Sequence, residues 1–124
     1  MIFRKLFFII LASVAFFASC DVPYDYLYQV SNNTDTVITI IYKYGTDSTI
    51  TISAQTTLPI KRRSTIEGPG GPYKSDITYA FDSFTVYIGN KLSKKDYMVT
   101  DNWGFEKKSS NLGVYTAEVS KSDF

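Results

Sequence analysis

Apolar and polar side chains alternate along much of this chain, in runs of five to nine residues separated by turn residues. Alternation of period two places neighbours on opposite faces of a strand, so each run can bury one face and wet the other. In Tyr24 to Val30, Tyr24, Tyr26 and Tyr28 share one face while Asp25, Leu27 and Gln29 share the other. In Thr36 to Tyr44, Ile38, Ile40, Tyr42 and Tyr44 form one row and Val37, Thr39, Ile41 and Lys43 the second. Thr49 to Ser53 repeats the pattern with Ile50 and Ile52 inward. Asn32-Asn33-Thr34-Asp35 and Gly45-Thr46-Asp47 are turns, since Asn and Asp close Asx turns and Gly tolerates positive φ. The second and third runs should therefore pair as an antiparallel hairpin.

Thr57 to Ile66 reads as a further strand, with Leu58 and Ile60 on one side and Pro59 assigning it to a sheet edge. Gly68-Pro69-Gly70-Gly71-Pro72 sustains neither helix nor central strand and reads as a surface loop. Tyr79 to Phe81 is a short strand or a turn of one. Phe84 to Ile88 follows, and Gly89-Asn90 is a two-residue hairpin turn into Lys91 and Leu92. Ser93 to Asn102 is polar and reads as loop. Trp103 to Glu106 and Gly113 to Val119 form a last hairpin, with Tyr115, Ala117 and Val119 on one face. Six to eight short strands with regular turns and no amphipathic helix predict an all-β fold. The first choice is an immunoglobulin-like antiparallel sandwich, preceded by a cleaved signal helix.

The amino terminus explains that helix. Arg4 and Lys5 precede an apolar run, Leu6 to Phe17, broken only by Ser13, and Phe17-Ala18-Ser19-Cys20 places small residues before the one cysteine. Twelve helical residues rise about 18 Å, short of a hydrocarbon core of about 30 Å. This layout resembles bacterial lipoprotein signals, with Phe17 where Leu is usual. The resemblance implies that residues 1–19 are cleaved and that Cys20 is acylated (palmitate) on sulfur, and often on its new amino group. Two or more acyl chains anchor firmly where one binds marginally. Residues 20–124 then form one lipid-anchored domain, 105 residues long. Asp21 to Tyr24 span at most about 14 Å, so the domain should sit near the membrane.

Composition excludes several chemistries. Histidine is absent and the single cysteine is assigned to the anchor, which removes disulfides, Cys–His pairs, Ser–His–Asp triads and the usual zinc sites. Removing Arg4 and Lys5 from the 13 basic residues leaves 11 against 12 acidic ones, a balance that predicts no nucleic-acid partner. No metal and no cofactor is expected.

Tyr28-Gln29-Val30-Ser31-Asn32, Ile88-Gly89-Asn90-Lys91-Leu92 with Asp96-Tyr97, Asn102-Trp103 and the closing Tyr115 to Val119, up to Phe124, resemble small Bacteroidota-type bacterial lipoproteins. That resemblance implies a β-sandwich of the cell envelope, at the outer membrane, and no defined activity. Asp35-Thr36-Val37 and Asp47-Ser48-Thr49 look like the O-glycan acceptor triplets of that group, which makes Thr36 and Ser48 candidate acceptors; turn capping is the other reading. Asn32-Asn33-Thr34 also has the form of an N-glycan sequon.

The candidate partner-binding residues are Arg63, Tyr73, Tyr24, Tyr26 and Tyr28. Lys61-Arg62-Arg63 is the densest basic cluster, with Lys61 and Arg63 on one strand face; it either binds phosphate or an anionic sugar, or guards an edge against strand pairing. The tyrosine row either stacks on a partner or packs inward. Trp103 is a core anchor or an exposed stacking residue. Asp76, Asp82, Asp96 and Asp101 lie in loops without the spacing of a calcium site.

The 68–72 loop, with Tyr73 and Arg63 as neighbours, reads as a recognition surface on the end away from the membrane or as a passive linker. Losing Gly70 and Gly71 should then leave stability nearly unchanged. The function these features suggest is a non-catalytic envelope module that binds a protein or glycan partner. The alternatives are a small carboxylate-dependent glycan or cell-wall hydrolase and a structural subunit of a surface assembly.

Overall fold

A computed structural model describes residues 22–67 and 70–124. The signal segment, Cys20 and the 19/20 boundary lie outside them. Eight strands form: β1 (Val22–Asn32), β2 (Ile38–Tyr44), β3 (Thr46–Ile52), β4 (Thr56–Glu67), β5 (Ser83–Ile88), β6 (Lys91–Leu92), β7 (Trp103–Ser109) and β8 (Leu112–Val119). They make two four-stranded sheets, ordered β4-β1-β8-β7 and β3-β2-β5-β6. The chain is the all-β sandwich that its alternation predicts. Three short 3₁₀ turns complete it: η1 (Ile77–Tyr79), η2 (Thr100–Asn102) and η3 (Lys121–Asp123).

The hairpins close as their turn residues require. Ile38 to Tyr44 pair with Ile52 to Thr46 across Gly45. Gly89 takes φ 56, and Ile88 meets Lys91 across the two-residue turn. β4 is an edge strand, as Pro59 demands. Its register slips beside Tyr28, where Lys61 and Pro59 face Tyr28 and Gln29 and leave Ile60 as the extra residue. One pairing is not antiparallel: β1 and β8 run parallel from Asp25↔Leu112 to Asn32↔Val119. The first and last strands are thus the central pair of this sheet.

Tyr24, Tyr26, Tyr28 and Val30 point inward from β1, Ile38 and Ile40 from β2, Phe84 and Val86 from β5, and Tyr115, Ala117 and Val119 from β8. Phe81, from the segment between η1 and β5, meets rings of both sheets: Tyr28 and Trp103 on one side, Tyr42 and Phe84 on the other. The 93–99 loop also enters the core, although its composition reads as surface. Tyr97 is buried, accepts the Trp103 indole N–H on its carbonyl at 2.7 Å, and has its phenol pKa pushed up to about 12 by burial.

A strap without regular secondary structure, residues 71–75, runs along the tyrosine hydroxyls of the first sheet. Its alternate backbone N–H groups donate to a ladder of tyrosine hydroxyls: Gly71 to Tyr24 at 3.0 Å, Tyr73 to Tyr26 at 3.4 Å, Ser75 to Tyr115 at 2.6 Å. The period of two in the strap meets the period of two along β1 at Tyr24 and Tyr26, and the neighbouring strand β8 supplies the third acceptor, Tyr115. Gly71 lies at φ 80, and a Cβ there would meet the Lys107 side chain.

The strap revises the reading of the 68–72 loop. Val22 pairs with Glu67, so β4 ends beside the start of β1, the strand end that follows Cys20 in sequence, rather than at the far end. Losing Gly70 and Gly71 would remove a donor to Tyr24 and an acceptor for Lys107, so a stability loss is expected in place of neutrality. Tyr115→Phe isolates the ladder, because the ring and its stack on Tyr28 (4.7 Å) stay. It should cost about 1–2 kcal/mol in urea unfolding and accelerate exchange of the Ser75 amide. Unchanged exchange at Ser75 would show that the strap is held otherwise.

Candidate functional site

On β4, Arg63 faces Tyr26 and Lys61 faces Tyr28, so both basic side chains lie on the inward face that the tyrosines occupy. Arg62, between them, points out. It pairs with Asp25 at 2.8 Å, and the Ser64 hydroxyl donates to the same carboxylate at 2.6 Å. Those two bonds, Ser64 first, hold the Asp25 carboxyl below its usual range.

The inward cations lie against rings. Lys61 Nζ sits 3.6 Å from the Tyr44 ring centroid and 5.5 Å from that of Phe81, and donates to the Ala80 carbonyl at 2.5 Å. The Arg63 guanidinium sits 4.7 Å from the Tyr26 centroid and 5.7 Å from that of Tyr79, and its Nε donates to the Tyr28 hydroxyl at 3.4 Å. Burial first, then the Arg63 charge, lowers the Lys61 pKa, with Asp82 acting the other way. Burial raises that of Tyr28. Neither cation has an ion-pair partner among the described residues, where the salt bridges use Arg62 and Lys108. Inward-pointing charge on an edge strand blocks pairing with another chain, which accounts for one of the two readings of this cluster. It also leaves a seam where two half-buried cations lie beside two open rings, Tyr44 and Tyr79, each more than half exposed.

The residues singled out from the sequence divide. Tyr24, Tyr26 and Tyr28 are at most 2 % exposed, so their faces are enclosed and cannot stack on a partner; the inward packing is what the structure has. Tyr73 is exposed and meets the seam only through its backbone at the Tyr26 hydroxyl. Arg63 is in the seam. Lys61, Tyr44 and Tyr79 complete it. Tyr79 escaped the sequence reading because strand alternation would place it with Phe81. The η1 turn instead separates the two, with Phe81 buried and Tyr79 out. Trp103 is a core residue, 1 % exposed. Thr36 is exposed, Ser48 lies half-buried within β3 rather than in a turn, and Asn32 is buried.

Three of the four loop carboxylates accept backbone N–H groups. Asp76 accepts the Thr78 N–H and hydroxyl, both at 2.9 Å, which lowers its pKa. Asp82 accepts the Gly45 N–H at 2.9 Å and Asp96 that of Met98 at 2.9 Å. Asp101 lines an open groove of about 380 Å³ with Lys95, Asn102, Thr116 and Glu118. This groove lies at the end of β8 and the start of β7, away from Val22. Among the described residues no three metal-ligating side chains gather, and no helix is long and apolar enough to cross a membrane. The chain matches no protein-family model, no curated protein and no solved structure.

Proposed function

We propose that this chain is a lipid-anchored, non-catalytic module of a bacterial envelope, held at the outer membrane through Cys20, that binds a protein or glycan partner close to the lipid surface. The observation that carries the binding reading is the seam, where Lys61 and Arg63 have no carboxylate partner among the described residues and Tyr44 and Tyr79 stand open beside them. The Bacteroidota-type resemblance and the Arg4 to Cys20 layout carry the anchor. β1 begins at Val22, and Tyr26, opposite Arg63, stands six residues beyond Cys20. That spacing reaches at most about 22 Å, so a partner at the seam is met near the membrane.

Cys20→Ser tests the anchor. The acylated protein should sediment with membranes and incorporate labelled fatty acid, and the variant should do neither. A variant that stays membrane-bound and acylated would sink the lipoprotein reading.

A second reading, a carboxylate-dependent glycan hydrolase, is favoured by Asp101 and Glu118 lining one groove. Reproducible glycan cleavage abolished by Asp101→Asn would replace the binding reading with it.

A further inference from the structure

We infer that the seam takes an anionic saccharide, a sugar bearing carboxylate or sulfate, with its acid group at Arg63 and Lys61 and its ring against Tyr79. This deepens the binding reading and rests on it.

Arg63 uses only Nε, toward the Tyr28 hydroxyl, and no protein acceptor among the described residues takes its two Nη groups. Lys61 gives one bond, to the Ala80 carbonyl, out of the several an ammonium offers. Asp82, whose charge acts on Lys61, forms no ion pair with it and accepts the Gly45 N–H instead. Lys61 and Arg63 stand two residues apart on one strand face, a backbone spacing of about 7 Å, and the Arg63 charge disfavours the charged form of Lys61, so the two cations repel each other. An anion between them relieves that repulsion, and the planar guanidinium suits a carboxylate or sulfate.

The rings choose among anions. Tyr79 is 59 % exposed and Tyr44 54 % exposed, and each already has a cation nearby. An open phenol offers a flat apolar face with a polar tip, suited to the C–H face and hydroxyls of a sugar. A nucleic acid would need a longer basic stripe than two residues supply. A peptide adding as a strand would need a regular edge, and Pro59 with the Ile60 bulge interrupts that of β4.

Calorimetric titration of the acylated protein, residues 20–124, in detergent micelles tests the assignment. The probes are galacturonate oligomers, their neutral galactose counterparts, and poly-glutamate as the peptide control. Galacturonate should bind, with the neutral oligomer at least about tenfold weaker. Tyr79→Ser should weaken galacturonate binding about tenfold at unchanged melting temperature, because the ring is exposed. Arg63→Gln should abolish it. Arg63 also touches core tyrosines, so Tyr79→Ser is the variant that keeps the test decisive if Arg63→Gln unfolds. Three results overturn the inference: no binding of galacturonate, equal binding of the neutral oligomer, or poly-glutamate binding as tightly with indifference to Tyr79→Ser. If any of these occurs while the Cys20-dependent anchor holds, the saccharide assignment fails and the anchored-module reading survives.

Discussion

Phe81→Ala is expected to cost about 3–5 kcal/mol in urea unfolding. Phe81 is fully buried and lies outside any strand. Its ring stacks on Trp103 at 5.7 Å and stands edge-on to Phe84 at 5.0 Å, Tyr28 at 5.5 Å and Tyr42 at 5.6 Å. Those partners belong to both sheets, so truncation opens a cavity at the point where the layers meet. A small domain is stable by about 5–15 kcal/mol, and this loss would take a large part of it. Phe81→Leu should recover much of the deficit, since it refills most of the volume. A cost below about 1 kcal/mol for Phe81→Ala would mean that the ring does not join the layers.

The second large effect is at Asn32, where the chain leaves the first sheet for the second. Its amide nitrogen donates to the carbonyls of Thr36 at 2.8 Å, Ile52 at 3.0 Å and Ser53 at 3.1 Å. Its oxygen accepts the Thr34 N–H at 3.0 Å and hydroxyl at 2.7 Å. One buried amide therefore ties the end of β1, the crossover and the end of β3. Asn32→Ala strands several of these groups away from water, at about 1–3 kcal/mol for each left unmade, so a loss of about 3 kcal/mol or more is expected. Asn32→Asp should do no better at neutral pH. It keeps the acceptor for Thr34 but presses a carboxylate against three carbonyls. Relative to wild type it should recover as pH falls and that carboxyl takes up a proton. An Asn32→Asp protein as stable as wild type at neutral pH would contradict the assigned bonds.

These two residues also mark how far the sequence is legible. Alternation identifies the inward rows of β1, β2, β5 and β8 because each run buries mainly one face; on β8, Val114 is buried from the opposite face as well. Pro59 assigned β4 to an edge, and Gly89-Asn90 closed its hairpin. Asn32 was visible as a turn former, yet nothing local shows that its amide reaches Ile52, twenty residues on. Phe81 and Tyr97 sit in irregular segments, where no period says which way a side chain points. The parallel β1–β8 pair joins the two ends of the domain, and the strap finds its acceptors some forty residues away. Lys61 and Arg63 share one face of β4, as strand alternation requires. Which rings would cover them depended on the turn at η1.

The claim on which the functional reading turns is that binding occurs at the seam rather than in the carboxylate groove. The direct measurement is mild detergent extraction of the acylated protein from membranes, with whatever saccharide or protein it carries identified. The partner should be recovered with wild type and with Asp101→Asn, and lost with Tyr79→Ser at unchanged stability. Recovery that survives Tyr79→Ser and disappears with Asp101→Asn would contradict the account.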